Sequence, residues 1–152
     1  MLNLRTLLLE SVFIWVMAAC AMAPALAQTG QFVRITESAA GIVFELEVLG
    51  VRRLPSRNVT GWIRADATRE NGALRERRPE IYATSMTLYE VNCPEKSYRA
   101  LSQSYYDPRG LVLASLDDPE GRFLRAPPES VSYELVSAIC FAAVEIEAAR
   151  KQ

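Results

Sequence analysis

The chain has 152 residues, no histidine and a formal net charge of −1, the length of one ordinary domain plus a targeting segment. Without histidine it lacks the usual general base near neutral pH and the commonest transition-metal ligand. A charge so near zero provides no global field toward nucleic acid or anionic lipid.

The first 27 residues read as an address. One cation, Arg5, precedes the apolar run Val12–Ala19, which is too short to span a bilayer comfortably. Pro24 and the small residues of Ala25-Leu26-Ala27 follow, so signal-peptidase cleavage is expected after Ala27, leaving an exported domain of residues 28–152. Met17-Ala18-Ala19-Cys20 supplies a second reading, a lipobox in which Cys20 carries a lipid. Lipidation would tie the domain to a membrane, whereas simple cleavage would leave it soluble. In either case Cys93 and Cys140 are the thiols left in an oxidising compartment, where two such cysteines are expected to pair. Their bridge would close a loop of about 48 residues, worth roughly 4 kcal/mol in the chain-entropy model.

The pattern then turns to strands. Residues 31–36 form a first candidate, and Gly41 separates it from the alternating Ile42, Phe44, Leu46 and Val48. Val51–Leu54 extends the sheet until Pro55. In Val59–Thr68, Gly61, Ile63, Ala65 and Ala67 fall on one face, with Thr60, Trp62, Arg64 and Asp66 on the other. Arg69–Pro79 is polar, contains Asn71-Gly72 and reads as an exposed loop. Ile81–Cys93 and Ser97–Tyr106 are strands joined by Pro94-Glu95-Lys96. Asp107-Pro108-Arg109-Gly110 is a turn leading to a strand at Leu111–Leu116, and Asp117–Pro128 is a loop.

Beyond Pro127-Pro128 the period changes. Val131, Leu135, Ala138-Ile139, Ala142 and Ile146 recur at helical spacing, with Ser130 as N-cap and Glu134 in the first turn. A Cys93–Cys140 bond would pin this helix to the sheet. The expected fold is α+β: an antiparallel sheet of five or six strands with one C-terminal helix packed on it.

Candidate sites are sparse. Arg52–Arg78 holds eight arginines against three acids, and Glu80–Glu147 holds eleven acids against five cations. Such segments form either a binding face or charges that cancel around the fold. Arg75, Arg77 and Arg78, in the exposed loop, are the candidate partner contacts. Tyr82, Tyr89, Tyr98, Tyr105 and Tyr106 suit a recognition surface or ordinary sheet packing. The acids of Asp117–Gly121 lack the ligand spacing of a calcium loop and read as a solvated turn. No residue is singled out as catalytic, metal-binding or cofactor-binding, and the chain reads as non-enzymatic.

The order of features resembles the surface-adhesin protein E-like family of Gram-negative bacteria over about residues 31–142. The residues that carry it are Phe32-Val33-Arg34-Ile35, Trp62-Ile63-Arg64-Ala65-Asp66 and Leu88-Tyr89-Glu90-Val91-Asn92-Cys93. Tyr98-Arg99, Ser104-Tyr105-Tyr106-Asp107, Gly110, Pro127, Ser130 and Cys140 complete the set. The resemblance implies an antiparallel sheet with a C-terminal helix joined by a disulfide at Cys93 and Cys140. It also implies an exported envelope or surface protein that binds protein ligands and can form a homodimer. The alternative is a periplasmic structural or assembly factor with no adhesive role.

Overall fold

The computed structural model describes residues 30–68 and 82–151. The leader, Cys20, and Arg75, Arg77 and Arg78 lie outside the described residues. Strands run in chain order as β1 (Phe32–Glu37), β2 (Val43–Glu47), β3 (Arg52–Arg53), β4 (Val59–Asp66) and β5 (Thr84–Asn92). They continue as β6 (Ser97–Tyr106), β7 (Val112–Asp117) and β8 (Leu124–Arg125), and one helix, α1 (Val131–Ala149), closes the domain. The strands form one antiparallel sheet ordered β1-β2-β4-β5-β6-β7, with β3 beside β4 and β8 beside β6.

This is the expected α+β fold, with one strand added. Arg52-Arg53, within the Val51–Leu54 stretch expected to extend the sheet, pairs with Val59-Thr60, and Leu124-Arg125 pairs with Ser97-Tyr98 inside the stretch read as a loop. A two-residue strand such as β8 is too short to show a period, so alternation cannot reveal it. Val48, expected to extend β2, instead begins a 3₁₀ turn, Val48–Gly50, which is closed by Val51 N–H donating to the Val48 carbonyl.

The faces of β4 alternate as its sequence requires, with Val59, Gly61, Ile63 and Ala65 buried. Register places Val91, Tyr89, Thr87 and Ser85 of β5 opposite them, and Leu46 of β2 opposite Ile63. Those positions build the face on which α1 lies. The helix begins as expected: Tyr133 N–H donates to the Ser130 hydroxyl at 3.2 Å, and Glu134 sits in the first turn. Its buried residues are Leu135, Val136, Ile139 and Ala143, with Val131, Cys140, Ala142 and Ile146 packed at the margins. The apolar stripe is therefore wider than the one read from spacing, which omitted Val136 and Ala143.

Two contacts set the distance between helix and sheet. Cys93, just past β5, is bonded to Cys140 with their Cα atoms 5.8 Å apart. One residue earlier on the helix, fully buried Ile139 lies against Gly61. A Cβ at Gly61 would stand 3.2 Å from Ile139 Cγ1, closer than ordinary packing, and 3.4 Å from both Ile139 Cγ2 and Leu46 Cδ1, at the near edge of it. Here glycine serves a close approach of helix to strand, not a special backbone angle.

We expect Gly61→Ala to destabilise the domain by about 1–3 kcal/mol, the usual range for overpacking a core. In an Ile139→Ala background the same change should cost clearly less, because both γ carbons it would meet are gone. Urea unfolding of the four proteins measures this coupling.

Candidate binding surface

The hairpin from β6 to β7 turns on Asp107-Pro108-Arg109-Gly110. The Asp107 carboxylate accepts from Arg109 N–H at 2.8 Å and Leu111 N–H at 2.9 Å, and Arg109 Nε donates back to it at 3.0 Å. Gly110 takes φ +83°, the left-handed conformation that completes this turn with least strain. The Leu111 amide, followed by the Arg109 contacts, holds the Asp107 carboxyl below the usual carboxylate range despite its partial desolvation.

Beyond the turn the chain becomes apolar and stays exposed. Leu111, Val112 and Leu116 are 58–59% exposed and Leu113 is 45% exposed. Register shifts between Tyr105 and Tyr106, so Leu113 is an extra residue on β7 and bends the edge. Ser115 fastens the strand to β6 through a hydroxyl contact of 2.9 Å with Ser104. The returning chain adds Phe123 and Leu124 to the same edge, where β8 follows β7 alongside β6. No charged side chain interrupts Leu111–Leu116. An apolar run of this kind on an edge strand is what monomeric proteins normally blunt with charge, and it marks interaction surfaces.

On the opposite face from the helix, a polar cluster fixes the loop that carries Phe123. Arg99 donates through Nε at 3.0 Å and Nη2 at 2.7 Å to Glu90 Oε2, and through Nη1 to the Gly121 carbonyl at 3.3 Å. Asn58 Nδ2 donates to the other Glu90 oxygen at 2.7 Å, and the Arg99 guanidinium lies 4.9 Å from the Phe123 ring centre. Glu90 is almost fully buried. Its burial pushes the carboxyl pKa upward, but the Asn58 and Arg99 hydrogen bonds and the Arg99 charge outweigh this and hold it below the usual carboxylate range.

The residues singled out from sequence are dispersed. Cys93 and Cys140 meet in the disulfide. Tyr89 and Tyr98 pack edge to face at 5.7 Å, and Tyr82 and Tyr105 are tilted together at 4.9 Å, so these rings serve packing. Within the basic segment, Arg64 pairs with Glu45 and Arg53 pairs with Glu147 of the helix, so these charges are neutralised inside the fold. The acids of Asp117–Glu120 are exposed. Among the described residues there is no cluster of three or more candidate metal ligands, and no helix is long and apolar enough to cross a membrane. The rim residues Leu111, Val112, Leu113, Leu116, Phe123 and Leu124 were not picked out, because an apolar strand ordinarily signals core. The Glu90–Arg99 pair could have been found: a short turn at Pro94–Lys96 sets Glu90 directly opposite Arg99.

Comparison with known proteins agrees with this architecture. The sequence model of the family described as Surface-adhesin protein E matches residues 34–141. The fold is similar to that of Haemophilus influenzae protein E in its crystal form II, with a TM-score of 0.55 and 13% identity. That match covers 79% of this chain and 94% of the other. No sequence among curated proteins matches.

Glu90 makes the fold sensitive to acid. Its carboxyl releases its proton more readily when folded than when unfolded, so its stabilisation is full above the ordinary carboxylate range. It fades as pH falls through the lowered folded value. Glu90→Gln should melt lower than wild type at neutral pH, with the gap closing in strong acid; melting temperature followed against pH checks this.

Proposed function

The chain belongs to the surface-adhesin protein E family, and from that membership we propose that it is an exported, non-enzymatic binding module whose protein ligand docks on the β7–β8 rim. The observation that carries this reading is the uninterrupted exposed apolar run Leu111–Leu116 on an edge strand, extended by Phe123 and Leu124. The ligand it fits presents a complementary apolar patch. The bend at Leu113 favours side-chain contacts over long strand addition. Arg75, Arg77 and Arg78 are proposed as further contacts on charge alone, suited to an acidic margin of the same ligand.

A second copy of the chain is the other occupant that the rim favours. Arg109 before the run is already paired with Asp107, so the exposed apolar side chains of the run, and not its end charges, are what a second copy would share.

Leu113→Glu combined with Leu116→Glu tests both readings. Captured from host-matrix extract, the bound protein should fall about tenfold or more with this variant and remain with Phe141→Ser, an exposed apolar change on the helix. Equal capture by all three proteins would reject the rim as the ligand site. Light scattering of the same proteins reads the homodimer, which the double variant should reduce to monomer. Proteolysis of intact cells separates a surface module, which is shaved off, from a periplasmic assembly factor, which is protected.

A further inference from the structure

A solvent-open cavity of about 180 Å³ lies between the first half of α1 and the sheet. Phe44 of β2, Tyr89 of β5 and Tyr98 of β6 form its floor and side, and Val131, Leu135 and Ile139 form its roof. None of its nine lining residues is charged, and the polar groups on those side chains are the hydroxyls of Tyr89, Tyr98 and Ser132. Half-buried Val131 and Ser132, in the first helical turn, stand at its outer end.

The packing gives a reason for the space to persist. The helix cannot settle further onto the sheet, because Cys140 is bonded to Cys93 and Ile139 already touches Gly61. The rings cannot readily swing in either, because Tyr89 and Tyr98 hold one another edge to face. Burial raises the Tyr89 pKa, so its hydroxyl stays protonated and available as a neutral hydrogen-bonding group. A void that its own walls cannot fill loses dispersion contacts, and a ligand of matching shape restores them.

We propose that this cavity is a binding site for a small neutral aromatic molecule of benzene to indole size, bearing at most one hydrogen-bonding group. The volume sets the size: an apolar cavity of about 150 Å³ accepts benzene. Three aromatic walls favour a planar ring stacked or edge-on. The uncharged lining offers a carboxylate or ammonium group no opposite charge to offset whatever desolvation it suffers there, so neutral rings are favoured. A neighbouring pocket shares Tyr89 and Tyr98 and reaches Leu116 and Leu124 of the rim, but the ring-sized space lies under the helix.

Indole and benzoate are the probes, added to the disulfide-bonded exported domain and followed by NMR. Indole should give saturable shifts and contacts between its ring protons and the side chains of Phe44 and Leu135, while benzoate should give none. Val131→Trp, which places a ring in the cavity, should weaken indole about tenfold or more, and Val131→Ala should not. Contacts in the wild type decide the matter even if Val131→Trp does not fold. The proposal is overturned if indole shows no saturable shift, or if benzoate binds as well as indole. It is also overturned if the contacts fall only on Val33 and Phe141, which line a different groove beneath the second half of the helix.

Discussion

The seating of Ile139 on Gly61, one residue from the Cys93–Cys140 bond, fixes where the helix stands above the sheet. A hydrophobic contact and a covalent bond act at the same point and constrain different states. Burial of Ile139 favours the folded chain, while the bridge restricts the unfolded one by closing a long loop. For a domain of this size, whose net stability is a small difference between large terms, the two together are decisive. The core of Leu46, Val59, Ile63, Val91, Leu135 and Val136 assembles around that contact.

The same placement leaves surface uncovered. A helix is about 10 Å across and strands stand about 4.8 Å apart, so one helix cannot cover every strand of so wide a sheet. Here α1 packs chiefly on β1, β2, β4 and β5, and all six residues of β7 are exposed. The sheet is extended past what its helix can shield, and the uncovered margin is apolar where charge would normally stand. Arg99 and Glu90 stiffen that margin from behind by holding Gly121 and the Phe123 ring. The candidate binding surface is thus a geometric consequence of one helix on six consecutive strands.

Much of this fold is legible in the sequence where local pattern and tertiary cover agree. The β4 alternation puts Val59, Gly61, Ile63 and Ala65 inward, β6 spans the residues its pattern marks, and Ser130 caps the helix. Pairing of Cys93 with Cys140 follows from export chemistry. Legibility fails where neighbours, not the residue itself, decide burial. Leu111–Leu116 has the composition of a core strand and is exposed because, among the described residues, no second helix lies over it. Val136 and Ala143 join the buried stripe because the sheet wraps more of α1 than one row of contacts requires. The two-residue strand β8 carries no period to read. The cavity at Tyr89 and Tyr98 arises from the spacing of two elements, which no single segment encodes.

The most direct test of the central constraint is amide hydrogen exchange of the exported domain with the bridge intact and in a Cys93→Ala, Cys140→Ala variant. If the bridge pins the helix, amides of Val131–Ala149 should exchange much faster in the variant, while those of β4 and β5 keep most of their protection. Unchanged protection along the helix would show that Ile139 and its neighbours hold it without the bridge, and would contradict the account.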